Sequence, residues 1–379
     1  EICACLVGSE MCIRDRLNLL CCTIATQVGN CAAIARVRTP EYSQEAKYLR
    51  DKLGLALIIN PELEAAIEMA HILHLPSSLE VTNFAHGQAQ LIKYEIPEGS
   101  ILDGTKLMDL GTRHHANILI GAVERDDEVT IPSGDFVLRK GDKLSFVGER
   151  RHTKEFFSHI GVNTHSVKNT LIIGGGKAAY YLAKQLISRG IKVKIIENSF
   201  ERCEELSILL PDAVIINGDG TEQALLKEEG IETCQSFVPL TGIDEENIML
   251  TLYAKQVSNA KVITKLNRIT FTNVINSLDL GSVISPKYIT SEAIIAYVRA
   301  KKNSMNCNIE TLYHMYDSRV EAIEFFVSEN SNVTDIPLRD LKLKKHLLIC
   351  FINRNGKIII PTGLSLIHIS EPTRHAQIS

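Results

Sequence analysis

The sequence predicts an α/β protein made of tandem Rossmann-like, doubly wound parallel sheets, each followed by a small α/β lobe. Three observations predict this fold. Strand and helix patterns alternate five times in the second half of the chain, which is typical of a parallel sheet covered by helices. A glycine-rich turn joins the first of these strands to its helix. Two separate segments recur 229 residues further on, which indicates a tandem duplication.

Composition narrows the functional class. The 379 residues include 41 Lys and Arg against 45 Asp and Glu, a net charge of −4, which argues against a nucleic-acid partner. Apolar residues make up 45% of the chain, so a disordered protein is excluded. Apolar runs are too short for a membrane-spanning helix, so we expect any membrane role to come through a partner. The ten cysteines form no C-x-x-C pair and are expected to be reduced thiols.

Both ends of the sequence look foreign to the rest. Residues 1–16 and 364–379 resemble translated sequencing-adapter sequence. In neither segment does the residue pattern have a periodicity that continues that of the adjacent residues. We expect them to be non-native scars flanking a fragment and exclude them from fold reasoning. A signal peptide is disfavoured for residues 1–16 because they lack a basic start and a clean apolar core.

The duplication defines the expected domains. Residues 18–30 match 247–259, and residues 117–134 match 346–363, at the same offset. The first Rossmann-like lobe is therefore expected to be truncated. The expected domains are the second half of the first Rossmann-like lobe (17–84), the first small lobe (85–166), the second Rossmann-like lobe (167–300) and a truncated second small lobe (301–363).

The second Rossmann-like lobe has the clearest elements. A buried strand at 169–173 runs into Gly174, and the next helix carries alanines and leucines on one face up to a C-cap at Gly190. The next strand, IKVKII, ends at Glu197. The further predicted strands are 213–217, 236–240 and 261–266, and the further predicted helices are 221–229, 244–257 and 269–277.

The glycine-rich turn predicts a dinucleotide site. Gly174 permits the tight turn, Gly176 lets a pyrophosphate approach the backbone, and Ala179 allows close packing of helix on sheet. The helix N-terminus supplies free N–H groups for phosphate. An acidic residue, Glu197, follows Gly176 by 21 positions, as this motif requires. The alternative is a glycine-rich turn without a ligand.

Glu197 predicts which nucleotide is preferred. A carboxylate at a strand end accepts hydrogen bonds from both ribose hydroxyls, whereas a 2′-phosphate there meets a like charge. Two charges 4 Å apart interact by about 4 kcal/mol at an effective dielectric of 20. We therefore expect NAD(H), or an adenosine nucleotide, over NADP(H). The alternative is a solvated acid at a strand end.

Two further turns lie at the expected ligand edge of this sheet. Asp219 and Gly220 close the third strand, and Asp219 is placed to face an adenine edge. Thr241, Glu245 and Asn247 follow the fourth strand. The alternative for the first turn is a simple turn and N-cap, and for the second it is helix capping by acids in the first turn.

Enzyme motifs are lacking beside this site. His114 and His115 are adjacent, so they do not share a helix face as metal ligands would, and we interpret them as solvated loop residues. A NAD-dependent oxidoreductase is the alternative function, but it needs a substrate domain with an acid or base beside the nicotinamide. Each predicted nucleotide fold is followed only by a small, strand-rich domain, which favours a ligand sensor over an enzyme.

The order of these motifs resembles the regulator-of-potassium-conductance (RCK) domain. It comprises strand, GGGKAA, helix, strand, Glu197, GDGT at 218–221 and T-x-x-D-E-x-N at 241–247. The segment 35–42 resembles that family's fifth strand and following turn, and IPSGD at 131–135 resembles its C-terminal lobe. The resemblance covers residues 17–363. Pro239, inside the fourth strand, departs from a regular strand because it lacks a ladder donor.

The resemblance implies a cytosolic nucleotide-binding regulatory subunit on the inner face of the membrane. Tandem copies resemble subunits that assemble as homo-oligomeric rings of paired lobes beneath a potassium-translocating membrane subunit and gate it through NAD(H) or ATP/ADP binding. The first copy lacks its own glycine loop, so we expect binding only in the second. The nucleotide contacts carried over by resemblance are Gly174, Gly176, Lys177, Ala178, Glu197, Asp219, Gly220, Thr241, Glu245 and Asn247.

Overall fold

A computed structural model gives the fold. It describes residues 11–29, 31–40, 42, 45–75, 77–113, 117–162, 165–268, 275, 278–302, 308–316, 319–327, 334, 336–341, 347–354, 356–361 and 373–378. The helices are α1 (Met11–Gly29), α2 (Ala46–Leu53), α3 (Pro61–His74), α4 (Leu107–Arg113), α5 (Arg150–His159), α6 (Lys177–Ile187), α7 (Phe200–Leu209), α8 (Gln223–Glu228), α9 (Asp244–Val257) and α10 (Pro286–Lys302). The first strands are β1 (Ile34–Arg36), β2 (Leu57–Ile59), β3 (Glu80–Phe84), β4 (Ala89–Glu95), β5 (Ile118–Arg125), β6 (Glu128–Thr130) and β7 (Lys143–Glu149). The remaining strands are β8 (Asn169–Ile173), β9 (Lys192–Glu197), β10 (Val214–Asn217), β11 (Ser236–Pro239), β12 (Lys261–Lys265), β13 (Ser282–Ile284), β14 (Asn308–Met315), β15 (Val320–Val327), β16 (Leu348–Arg354), β17 (Lys357–Ile359) and β18 (Thr373–Ile378).

The chain divides into two compact units, one of residues up to 74 with 167–294, the other of residues 75–166 with the remainder. In the first unit, the described strands of the second copy form a parallel sheet in the order β10-β9-β8-β11-β12-β13. This is the strand order of a dinucleotide-binding fold. The doubly wound parallel sheet predicted for this lobe is therefore confirmed.

The first copy contributes a smaller piece to the same unit. Strands β1 and β2 pair in parallel, and α3 packs against α6. Tyr180 and Tyr181 of α6 are buried, although they lie outside the apolar face predicted from the helical period. The Tyr181 hydroxyl accepts from Asn60 Nδ2 at 3.0 Å and donates to the Arg38 carbonyl at 2.9 Å. The first copy therefore covers a second face of α6.

The N-terminal segment set aside as foreign takes part in this unit. Helix α1 begins at Met11, and the Asp15 carboxylate, 2% exposed, accepts from the backbone N–H groups of residues 38 and 39 at 2.9 and 2.8 Å. Asp244, 229 positions later, accepts from the backbone N–H groups of residues 267 and 268 at 2.8 Å each. Asp15 therefore caps a turn as Asp244 does in the second copy, a contact that the sequence did not predict for this segment.

The second unit holds the two small lobes. Their described strands form two antiparallel sheets of matching order, β3-β4-β7-β5-β6 and β14-β15-β18-β16-β17. Strand β18 lies in the C-terminal segment that was set aside as foreign, yet its backbone pairs with both β15 and β16. It occupies the position that β7 holds in the first lobe. Residues 373–378 thus supply the strand between β15 and β16, in a segment for which the sequence predicted no strand.

The two small lobes share one hydrophobic core. Buried residues of both, among them Phe84 and Phe351, belong to the same cluster, and these two rings meet edge to face at 6.2 Å. An ion pair also joins the lobes: an Arg319 guanidinium nitrogen lies 2.6 Å from a Glu124 carboxylate oxygen. The Glu124 side chain is 9% exposed and the Arg319 side chain 37% exposed, so the carboxylate is shielded from water while the guanidinium is partly solvated.

Several element bounds differ from the sequence expectations. The small lobe begins at Glu80, because β3 pairs with β4, whereas the expected boundary was residue 85. The helix expected at 221–229 is shortened by a turn to α8. Pro239 is the last residue of β11, where the missing donor does not interrupt the ladder, and Leu240 N next donates to the Ile173 carbonyl at 2.7 Å. The helix expected at 269–277, apart from residue 275, and both adjacent histidines lie outside the described residues.

Candidate nucleotide-binding site

The glycine-rich turn lies where the winding of the sheet reverses. Strand β8 pairs with β9 on one side and β11 on the other, so the chain leaves β8 in one direction and returns on its opposite side. The crevice at the carboxyl ends of such strands is where open α/β sheets bind ligands. Residues 174–176 occupy this crevice, between β8 and α6.

Gly174 is required by both conformation and space. Its φ of +92° lies in the left-handed region, and a Cβ there would meet the backbone of Leu240 and Thr241 at 3.2 Å. Its N–H donates to the Ile196 carbonyl at 2.8 Å. The first glycine therefore makes the tight turn at which the loop passes over the end of β11.

Gly176 faces open space at the start of α6. It is exposed, and a Cβ built on it would meet no atom within 4 Å. It is the N-cap of α6, and no side chain caps that end. Lys177 follows half-buried in the first turn, while Ala178 is 7% exposed. The loop thus presents a backbone cradle and an uncapped helix N-terminus, which favour an anionic group.

Glu197 turns its carboxylate back toward the glycine loop. Oε2 accepts from Gly175 N at 2.6 Å, and Oε1 accepts from Ser199 N at 2.8 Å. Each carboxylate oxygen has a second lone pair, so these bonds leave acceptor capacity for ribose hydroxyls. The residue is half-buried at the end of β9, beside the cradle. Glu197 therefore links the loop to the position expected for the ribose.

The turn at residues 218–221 reaches the same edge. Asp219 is exposed, and its Oδ1 accepts from the N–H and the hydroxyl of Thr221 at 2.8 and 2.7 Å. These hydrogen bonds lower the pKa of Asp219, so it is a stable anion. Gly220 packs so closely on the Ile173 side chain that any Cβ would collide with it. The structure therefore brings this turn against the end of β8, while Asp219 also fulfils the turn role considered as its alternative.

The third predicted group divides into separate roles. Thr241 is half-buried at the end of β11, and its hydroxyl accepts from Ile243 N at 3.2 Å. Asn247 is 0% exposed, and its amide bonds the backbone of Thr241 and Lys265 at 3.0–3.3 Å. A fully buried side chain of this kind positions the backbone of Thr241. A direct contact between Asn247 and a nucleotide stays a prediction. Glu245 is exposed in the first turn of α9.

Comparison with known proteins identifies the family. The TrkA-N domain model matches residues 170–286, and the TrkA-C domain model matches residues 91–161. Trk system potassium uptake protein TrkA homolog 1 of Methanosarcina mazei is 32% identical over 357 residues, which are 92% of this chain and 78% of that protein. This chain belongs to the TrkA family. Trk system potassium uptake protein TrkA of Halomonas elongata is 28% identical over 91% of the chain and 76% of that protein.

Solved structures agree with a TrkA-type fold. The GsuK RCK domain superposes with a TM-score of 0.59 at 17% identity, covering 96% of this chain and 76% of that one. The GsuK channel bound to NAD superposes with a TM-score of 0.58 at 18% identity, over 96% of this chain and 63% of that one. At this identity the likeness establishes the Rossmann-like α/β fold. Among the described helices, none is long and apolar enough to span a membrane.

The residues of this TrkA-family lobe fit a dinucleotide. The open glycine cradle and the uncapped N-terminus of α6 suit the pyrophosphate. The carboxylate at the end of β9 suits the adenosine ribose. Two basic side chains near the loop belong to no sequence motif, and the sequence did not predict them as part of the site. Arg202 Nε donates to the Gly175 carbonyl at 2.7 Å, and Lys265 Nζ donates to the Leu240 carbonyl at 3.2 Å. Burial lowers the pKa of Lys265.

Proposed function

We propose that this chain is a regulatory subunit of a potassium-uptake system, and that its second Rossmann-like lobe binds NAD(H). The observation that carries the proposal is the pairing of the open Gly176 cradle with the Glu197 carboxylate in a chain of the TrkA family. Phosphate would bind at the start of α6, and the ribose hydroxyls would donate to Glu197.

The site residues take distinct roles in this proposal. Gly174 and Gly176 shape the loop, and Lys177 adds positive charge where the pyrophosphate would lie. The Asp219–Gly220 turn borders the adenosine end, and Thr241 borders the end that carries the nicotinamide. Ala178, Glu245 and Asn247 support these elements, Glu245 from the surface and Asn247 from the interior.

A regulatory role is favoured over catalysis. The relatives that cover most of this chain are named as potassium uptake proteins. We propose that a membrane subunit conducts potassium, that this chain docks on its cytoplasmic side as a homo-oligomer, and that nucleotide binding shifts the conformation of the assembly. Only a nucleotide that binds two conformations with different affinity can shift their populations.

Titration of the full chain tests the binding step. NADH, NAD, NADP, ATP and ADP are added in turn in a calorimeter, with Glu197→Gln as the variant. The expected result is binding of NADH and NAD with NADP much weaker. Tighter binding of ATP or ADP than of NAD(H) would make the adenine nucleotides the ligand class instead. Absence of binding by all five would reject the nucleotide site.

Potassium flux tests the regulatory step. The chain is combined with the membrane subunit of its own uptake system, and flux is measured with and without each nucleotide that binds. A change in flux that disappears in the Glu197→Gln variant is expected. Flux that ignores every bound nucleotide would refute the gating proposal and leave the binding proposal intact. Turnover of NADH with a carbonyl substrate would favour an oxidoreductase instead.

A further inference from the structure

Arg202 makes a side-chain contact with the glycine loop that the dinucleotide motif does not include. Its Nε donates to the Gly175 carbonyl at 2.7 Å, and a terminal guanidinium nitrogen pairs with Glu205 on the same helix. The Arg202 side chain is 21% exposed, so most of it is packed away from solvent. Leu206, one turn further along α7, lies so close to Gly175 that a Cβ there would collide with it.

The peptide between Gly175 and Gly176 determines what this contact does. A trans peptide is planar, so its C=O and N–H point in opposite directions. With its oxygen held by Arg202, this peptide directs the Gly176 N–H to the opposite side of the loop. Gly176 is the residue whose Cβ would meet open space. The preceding peptide is fixed as well, because Gly175 N donates to Glu197.

Three consecutive glycines make such fixing necessary. Glycine populates several backbone regions at similar cost, so the peptides of residues 174–176 are easily reoriented. A flipped Gly175–Gly176 peptide would direct its carbonyl oxygen, instead of its N–H, toward a bound phosphate. That oxygen carries partial negative charge and would repel the phosphate. The contact with Arg202 opposes this flip because a charge-assisted hydrogen bond is stronger than a neutral one.

We infer that Arg202 is a positioning residue, which presets the Gly176 N–H as a donor to the pyrophosphate of the nucleotide. This inference rests on the proposed function, because it assumes that the second lobe binds a nucleotide. Arg202 acts through the loop peptide and does not itself touch the ligand. It should therefore govern the part of the affinity that comes from the phosphates.

Comparison of ligands with and without phosphates tests this role in the full chain. Binding of NADH is followed by its fluorescence, ADP and adenosine are measured by displacement, and thermal unfolding is recorded for each variant. Arg202→Met is expected to weaken NADH and ADP about 10-fold, the effect of losing one charge-assisted hydrogen bond. Adenosine is expected to weaken less than about 2-fold, because it reaches only the ribose and base contacts.

Three further variants separate positioning from general destabilisation. Arg202→Lys keeps a donor and is expected to recover part of the ADP affinity, and it replaces Arg202→Met if that variant does not fold. Glu205→Gln removes the other partner of the guanidinium and should leave the ratio of ADP to adenosine affinity unchanged. Leu226→Ala, at a site 0% exposed in the same lobe, should lower the unfolding temperature without changing that ratio.

The outcomes distinguish the inference from the proposed function. Equal weakening of ADP and adenosine in Arg202→Met, or no weakening of either, would overturn the positioning role while the binding site stands. Wild-type chain that binds neither NADH nor ADP would reject the nucleotide site and the inference with it. Selective loss of ADP and NADH affinity, with adenosine retained, supports the inference.

Discussion

Replacement of Glu197 with glutamine should alter nucleotide choice and stability by separable amounts. In the folded chain the carboxylate accepts from Gly175 N and Ser199 N at 2.6 and 2.8 Å. An amide of the same shape keeps one acceptor oxygen and loses the charge. Charge-assisted hydrogen bonds contribute about 1 kcal/mol more than neutral ones, so we expect a loss of about 1–2 kcal/mol in the free energy of unfolding.

Nucleotide choice should change more than stability. A 2′-phosphate close to the Glu197 carboxylate experiences a repulsion of about 4 kcal/mol at a separation of 4 Å and a dielectric of 20. Glu197 is half-buried, so solvent screening reduces this to about 1.4–2.7 kcal/mol, or a 10- to 100-fold preference for NADH over NADPH. Glutamine removes the repulsion, and it also removes one acceptor for the ribose diol.

Fluorescence titration of NADH and NADPH measures this preference directly. The wild-type chain should favour NADH by 10- to 100-fold, and Glu197→Gln should bring the two affinities within about 3-fold of each other. Compared with the wild-type chain, the variant should bind NADH more weakly, and its affinity for NADPH should rise relative to its affinity for NADH. Equal affinity for both dinucleotides in the wild-type chain, or an unchanged ratio in the variant, would refute the assignment of Glu197 to the ribose.

Three other perturbations test the loop, the contact between the small lobes and a buried amine. Gly174→Ala places a Cβ at a φ of +92° and 3.2 Å from backbone, and should lower the free energy of unfolding by about 2–4 kcal/mol in thermal denaturation. Gly176→Ala is the matched control: it should be as stable as wild type but lose NADH affinity. Equal destabilisation by Gly174→Ala and Gly176→Ala would contradict the distinction between the two glycines. Arg319→Met breaks the ion pair with Glu124 and should lower the free energy of unfolding by about 1–2 kcal/mol. A double-mutant cycle with Glu124→Gln measures the coupling, and additive effects of the two substitutions would show that the pair is not coupled. Burial lowers the pKa of Lys261 to about 8, whereas an unfolded lysine titrates near 10.4. Between these pH values the unfolded chain binds more protons than the folded chain, so the free energy of unfolding should rise from pH 8 to about 10.4. Lys261→Met should remove this rise. Identical pH profiles of unfolding for wild type and variant would exclude the contribution.

The strands of the second Rossmann-like lobe could be predicted because each is a short apolar run bounded by turn residues. Asn169–Ile173 is an example: its pattern alone indicates a buried strand, and β8 has those bounds. The glycine positions could also be predicted, since a left-handed φ at Gly174 follows from the turn that the motif makes. Local sequence determines both features.

Features that depend on distant segments could not be predicted. Tyr180 and Tyr181 are buried because α3 of the first copy packs on α6, and the helical period of α6 contains no sign of this. Arg202 lies 27 positions from the Gly175 carbonyl that it binds, and a single arginine on a helix carries no motif. Asn247 is a further example, because its place in a family motif predicts ligand contact but gives no sign of its hydrogen bonds to the backbone of Thr241 and Lys265.

The small lobes could be predicted only in outline. Strand β3 at Glu80–Phe84 was missed because its sequence, EVTNF, has few apolar residues, and it becomes a strand by pairing with β4. Strand β18 could not be expected either, because its sequence lacks the apolar run of β7. A sheet edge supplies backbone partners to any extended segment of the right length, so backbone pairing imposes little sequence requirement.

The shared core of the two small lobes has a consequence for how strong their contact must be. Both lobes belong to one chain, so their association is intramolecular, and its effective concentration is set by the connecting segments and not by the amount of protein. No loss of free translation of a second molecule opposes it. A contact around Phe84 and Phe351 that would be too weak to hold two separate chains together can still persist at any dilution. Because the duplicated lobes lie in one chain, the interface between them does not need the high affinity that two separate chains would need. Substitutions that weaken this interface are therefore tolerated more readily in either lobe.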